Sequence, residues 1–499
     1  FDHVPQYVRS RSSNDSYPAC MLRSHRRRHR IAALAIVSGV VMAACASTGD
    51  TPDADTGRGT GVDTVQRFRY PVAPESPAAS DEDAEASRDA IERIGVQLAV
   101  GEIDEQAVLD LTASGDARHA WYVADLMRFF GAGDNGGNQL VEAFEALTGT
   151  SIADDPDSER SVWLSATNHL IAWDTPDYPG YREDKSVLFL LVEPAWEPFF
   201  VDADSDIDWR HLSWGGVLID DRELGDPDGC PQGCIPALDD PATTDVDGGD
   251  WYPDDAVVFG IVEGGDALAI PKNIAEIHEM FNLTLGDRRF GIPYCTLCGS
   301  AQAYRTDQAV EQGAEQVPVL RTSGLLSRSN KVMYDLRTRS VVDTFTGAAV
   351  SGPLQDAGVV LEETSVVRTT WGEWKAEHPD TTIIAEDGGI GRSYPLDPLG
   401  GRDDNGPIFP IGDVDERLGV QELVLGVIAP DGTAVAFPAD RARDVLAAGG
   451  EVVASGVALV ADGGGLRAID ATSADPLGSH ESFWFAWSQF HPSTVLWQP

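Results

Sequence analysis

The sequence predicts an α+β protein in which a helical domain precedes a β-rich domain. Three observations carry that expectation. With 42% hydrophobic residues, the 499-residue chain can bury a full core. Between residues 86 and 201 the apolar positions recur at helical spacing. From 202 onward the texture changes to short β-branched runs separated by Gly, Pro and Asp.

The N-terminal segments come first. Residues 1–20 precede Met21 and do not resemble an export signal, so they read as a non-native upstream extension. Residues 21–45 have the three parts of a lipoprotein signal peptide: the basic residues Arg23, Arg26, Arg27, Arg28 and Arg30, an apolar stretch over 31–41, and Ala43-Ala44-Cys45. The apolar stretch is short for a membrane span. Cys45 is therefore the expected lipidation site, with cleavage of an ordinary signal peptide nearby as the alternative. The expected localisation is the cell envelope, with the exported protein held at a membrane by its lipid. Residues 46–85, rich in Thr, Asp, Pro, Ser and Ala, read as a disordered tether.

In the helical domain, Ile91, Ile94 and Leu98 follow Ser87, which fits an N-cap. Val108, Leu109 and Leu111 continue the pattern, and further helices are expected over 117–130, 140–149 and 163–173, stacked as pairs. In the β-rich domain, strands are expected over 257–262, 317–320, 331–336, 340–345, 423–428 and 452–460. Two amphipathic pieces, 371–377 and 482–490, interrupt them, and the aromatics Phe483, Trp484, Phe485, Trp487 and Phe490 are expected to pack the C-terminus onto a sheet. No internal repeat is read from the sequence.

The formal charge of −45 makes nucleic acid a poor partner. Lysine occurs only as Lys185, Lys272, Lys331 and Lys375. Acidic pairs such as Asp239-Asp240 and Asp254-Asp255 read as solvated loops.

The chemistry-bearing residues are the cysteines. Cys230 and Cys234 lie in a Gly- and Pro-rich loop of an exported chain, which favours a structural disulfide. Tyr294-Cys295-Thr296-Leu297-Cys298-Gly299 joins two expected strands, and Gly299 permits the positive φ of a metal-knuckle turn. Cys295 and Cys298, with His278 as a third ligand, would then hold a soft transition metal, copper or zinc. The alternatives are a thiol–disulfide oxidoreductase in which Cys295 attacks and Cys298 resolves, and a binding or scaffold protein whose cysteines are staples. His378 and His491 each precede Pro at the end of an expected helix and read as C-terminal cap residues. No phosphate loop, nucleophile elbow or HExxH motif occurs.

Set in order, Ile235-Pro236-Ala237-Leu238-Asp239-Asp240-Pro241, His278-Glu279, Tyr294-Cys295, Leu297-Cys298-Gly299, Ser323-Gly324-Leu325-Leu326, Met333-Tyr334-Asp335 and His378-Pro379-Asp380-Thr381 resemble the domain of unknown function 3179 family. Thr296 stands where that family usually has Pro. The resemblance implies kinship over most of the chain but brings no function with it.

Overall fold

The computed structural model describes residues 70–75, 81–130, 137–153, 155–226, 229–401 and 406–499. The upstream extension, the signal peptide with Cys45 and most of the tether lie outside the described residues. Among the described residues, no helix is long and apolar enough to cross a membrane.

Helices come first, followed by a β-rich region of small sheets in a propeller-like arrangement. The first helix, Asp81–Leu98, begins upstream of Ser87, so Ser87 is a buried mid-helix residue and not its cap. It buries Ala90, Ile91, Ile94 and Leu98, the helical stripe read from the sequence. Glu105–Ala113 is capped by Asp104, whose carboxylate accepts the Ala107 N–H at 2.9 Å. Helix Ala120–Phe130 is fastened to Tyr181–Val192 in the interior. There the Asp125 carboxylate accepts the Tyr181 hydroxyl at 2.7 Å and the Lys185 ammonium at 3.0 Å.

The helices are clamped onto the sheets at two points. Trp196 donates its indole N–H to the Ser323 carbonyl at 2.7 Å. Arg128 donates to the Trp214 carbonyl at 2.9 Å while its guanidinium lies 4.5 Å from the Trp163 ring centroid and 5.1 Å from that of Trp214.

Two of the sheets repeat one design, although no repeat was expected. In one, Val367–Thr370, Val257–Glu263, Asp266–Pro271 and Thr382–Ile384 lie side by side, the first three antiparallel and the last parallel to its neighbour. In the other, Ser479–Phe483, Leu423–Ile428, Ala434–Pro438 and Val495–Leu496 do the same. Each central hairpin runs into a helix, Lys272–His278 or Ala439–Ala447, and a second helix, Trp371–Glu377 or Trp484–Phe490, precedes the parallel strand.

The packing repeats as well. Trp374 donates to Thr381 Oγ1 at 3.0 Å and Trp487 to Thr494 Oγ1 at 2.9 Å. Those indoles lie against His378 and His491, with ring centroids 4.0 and 4.2 Å apart, and both histidines are C-caps as read from the sequence. Gly260 and Gly426, each the fourth residue of its strand, leave the room that each indole occupies, since a Cβ at either position would collide with the ring.

The centre of the β-rich region is charged. Arg321 is fully buried and grips Asp239 with two hydrogen bonds, 2.8 and 2.7 Å. Asp220, also fully buried, is held by Arg222 at 2.7 and 3.0 Å and accepts the Ala237 N–H at 2.8 Å. Asn282 ties Asp239 to the Leu320 backbone. The Asp239 side chain is therefore interior, not that of a solvated loop residue: the short strand Leu238–Asp239, paired with Met280–Leu285, places it opposite the Arg of another strand.

Replacing Arg321 by Leu strands Asp239 without its cation, and breaking one side of a buried pair costs about 3–5 kcal/mol. Urea unfolding followed by tryptophan fluorescence is expected to show a large fall in midpoint for Arg321→Leu and a smaller one for Arg321→Met combined with Asp239→Leu. Equal falls would mean that side-chain volume, not charge, matters at this place.

Candidate functional site

Strand Arg288–Cys295 ends at the first cysteine and Ser300–Ala301 returns beside it, with Cys295 opposite Ser300. Between them the chain makes a tight turn in which the Cys298 N–H meets the Cys295 carbonyl and the Gly299 N–H meets the Thr296 carbonyl, both at 3.3 Å. Gly299 has φ +62°, so the turn uses the left-handed conformation that its glycine allows. No helix begins here, which removes the helix N-terminus that activates thiols in thioredoxin-like motifs. The C-terminal segment covers the turn: the Phe483 N–H donates to the Cys298 carbonyl at 2.8 Å, and Trp484, Phe485 and Trp487 share a buried cluster with both cysteines.

Cys295 and Cys298 are unbonded thiols, 2% and 0% exposed. The Cys298 thiol donates to the Ser329 carbonyl and to Asn330 Oδ1, each at 3.5 Å, and Ser329 also lies 3.9 Å from the Cys295 sulfur. Burial pushes the Cys295 thiol up. The hydrogen bond with Cys298, the backbone N–H of Lys331 and the Lys331 ammonium outweigh burial and the nearby Glu279 carboxylate, and the thiol sits below its ordinary value.

Two residues not singled out from the sequence complete this neighbourhood. Lys331, almost fully buried, pairs with the Glu279 carboxylate at 2.9 Å and donates to the Glu279 carbonyl at 2.5 Å. Glu279 ends helix Lys272–His278 in the left-handed region, φ 51°, which favours glycine. A cavity of about 90 Å³ lies against Cys295, Glu279 and Lys331. The signal for Lys331 was available: one of very few lysines, it stands in a run of strand residues, where a long cation needs a partner.

His278 is placed elsewhere. Its Nδ1 lies 2.7 Å from the Pro236 carbonyl and its Nε2 2.7 Å from the Tyr394 hydroxyl, so both ring nitrogens are engaged. It lines a separate cavity of about 150 Å³ with Arg222, Asp226 and Arg392. Among the described residues, no third His, Cys, Asp or Glu brings a ligand atom into a cluster with Cys295 and Cys298.

The one such cluster joins Asp220 with Cys230 and Cys234. Those two cysteines are disulfide-bonded, with Cα atoms 5.4 Å apart. The Asp220 oxygens there already hold the Arg222 guanidinium and the Ala237 N–H, so an added cation would face a fixed positive charge. The arrangement suits a bridge seated on the buried ion network. Cys45 lies outside the described residues.

Residues 232–475 match the family described as Protein of unknown function (DUF3179). The chain belongs to this family. Neither a curated protein nor a solved structure matches it. The DUF3179 segment contains the cysteine turn, His278, Glu279 and Lys331, whereas the aromatic cluster that covers the turn lies downstream of it.

Burial, reinforced by Arg392 and Arg222, pushes the His278 imidazole down to about 4 even though the Pro236 carbonyl acts in the opposite sense. The unfolded chain takes up this proton near pH 6.5 while the folded one resists until about pH 4, so the contribution of His278 is intact above about 6.5 and declines as pH falls through that window. A shift of that size corresponds to about 3 kcal/mol. The melting temperature is expected to drop between pH 7 and 4.5, and His278→Gln to flatten the profile by calorimetry. An unchanged slope in the variant would show that His278 is protonated in the folded state.

Proposed function

We propose that the Cys295–Cys298 turn is a two-thiolate site for a soft monovalent cation, Cu(I), in an exported protein anchored by lipid at Cys45. The carrying observation is the pair of unbonded, buried thiols on one knuckle turn, with the Lys331 ammonium beside them. Zinc needs about four donors, and the second pair is not at hand among the described residues. Cu(I) is satisfied by soft sulfur alone. Two thiolates around one Cu(I) leave a net charge of −1, which the Lys331 ammonium attracts in a dry setting although the Glu279 carboxylate takes up part of that cation's charge. Binding would release the thiol protons, and Glu279, already paired with Lys331, fixes that ammonium near the sulfurs. Burial of both sulfurs favours this reading over disulfide exchange with a protein partner, which needs an accessible attacking thiol. The anchor rests on the signal-like run ending at Cys45.

The thiol–disulfide reading retains one supporting observation, the small cavity against Cys295, which would admit a small oxidant.

Reduced protein titrated anaerobically with Cu(I) against a chromophoric chelator is expected to take up one equivalent. Cys295→Ser with Cys298→Ser should lose that uptake, and Lys331→Met should weaken it by about tenfold, the cost of one uncompensated charge. Stoichiometric zinc displacing Cu(I), or uptake that persists in the double variant, would overturn the assignment. A reversible Cys295–Cys298 disulfide without copper uptake would move it to redox chemistry.

A further inference from the structure

On another side of the cysteine turn lies a cavity of about 330 Å³, larger than those beside Cys295 and His278. We propose that it binds a small organic monocarboxylate, held by the Arg368 guanidinium and the Tyr294 hydroxyl.

Two donors lining this cavity are left without acceptors. Arg368 projects from strand Val367–Thr370, and its guanidinium makes no hydrogen bond or ion pair among the described residues. Its carboxylate neighbour Glu481 pairs with Arg443 through Oε1, and no hydrogen bond joins the other oxygen to Arg368. Lys272, the other cation in the wall among the described residues, is tied to Glu276. In a chain with 81 acidic residues against 36 basic ones, a half-buried arginine that makes no direct ion pair in a concave site is suited to an anion. Tyr294 is 3% exposed, and its hydroxyl likewise has no hydrogen-bond partner among the described residues. A phenol is un-ionised at neutral pH and its O–H is a donor.

The rest of the wall narrows the ligand class. Asp397 and Glu276 put negative charge in the same wall, which disfavours phosphate and other dianions. Leu399, Leu423 and Phe483 supply an apolar surface for an organic body. A carboxylate fits the planar fork of Arg368, and the Tyr294 hydroxyl can donate to the same group. Thr296 and Gly299 form part of the wall as well, so the ligand would rest against the cysteine turn without needing its sulfurs.

The test uses the full-length protein, with benzoate, benzamide and inorganic phosphate as probes in saturation-transfer NMR and calorimetric titrations. Benzoate is expected to bind with Kd of about 1 mM or tighter, with benzamide and phosphate at least about tenfold weaker. Arg368→Met should reduce benzoate binding by about tenfold or more, and Tyr294→Phe, which keeps the ring packing, by about three- to fivefold. Cys295→Ser with Cys298→Ser should leave benzoate binding unchanged, so that failure of the copper assignment would not carry this one with it. Benzoate that does not bind at about 10 mM, benzamide or phosphate binding as well as benzoate, or full affinity in both the Arg368→Met and Tyr294→Phe proteins would overturn the proposal.

Discussion

The β-rich region depends on four charges largely withdrawn from water, two of them fully buried. Asp220, Arg222, Asp239 and Arg321 come from three separate stretches of chain, and their pairing brings the loop after Trp214, the turn at Asp239-Asp240 and the strand Leu320–Ser327 to one place. Such a network is costly to bury and costly to break, and its chief effect is to disfavour alternative registers, because any slip of strand Leu320–Ser327 leaves an uncompensated ion. The Cys230–Cys234 bridge sits beside Asp220, so a Gly- and Pro-rich loop is fastened next to the buried ion network. The cysteine turn is downstream of that constraint: Asn282, in the strand paired with Arg288–Cys295, is bonded to both Asp239 and the Leu320 backbone.

Much of the fold was legible. Helical spacing located the buried stripes of the N-terminal helices, and β-branched runs located strands Val257–Glu263, Asn330–Asp335, Leu423–Ile428 and Val457–Asp462 but not Asp266–Pro271, Met280–Leu285 or most of Leu320–Ser327, because the signal follows only from which side chains leave water. The duplication was legible too, although only in hindsight: Trp371-x-x-Trp374-x-x-x-His378-Pro379-x-Thr381 and Trp484-x-x-Trp487-x-x-x-His491-Pro492-x-Thr494 have the same spacing. The hairpins that accompany these motifs carry a matching signature, Val258-x-Gly260 with Ala267-x-Ala269-x-Pro271 and Val424-x-Gly426 with Ala434-x-Ala436-x-Pro438, and each glycine matters through the indole packed on it, which is far away in sequence. The first helix starts well upstream of its apolar pattern, which begins near Ala90, so the pattern could not mark its start.

The site was legible in its covalent part and not in its electrostatic part. A Cys-x-x-Cys between strands with a following glycine specifies the turn locally, and the positive φ at Gly299 follows from that sequence alone. Pairing Lys331 with Glu279 needs two strands and a helix end to meet, and although a lysine within a strand run signals that a partner is needed, nothing nearby in sequence says which. His278 shows the converse difficulty. A histidine near the cysteines in sequence invites a ligand role, but the helix that ends at Glu279 carries the imidazole to Pro236 and Tyr394.

The scarcity of lysine has an experimental use. Lys272 and Lys375 are partly exposed, whereas Lys185 and Lys331 are buried, one in the helical region and one beneath the cysteine turn. Reagents that acylate amines would therefore reach the first two in the folded protein and the other two only on opening. Mass spectrometry of briefly labelled samples would then time the loosening of each half separately, with the chain's own ammonium groups as internal clocks.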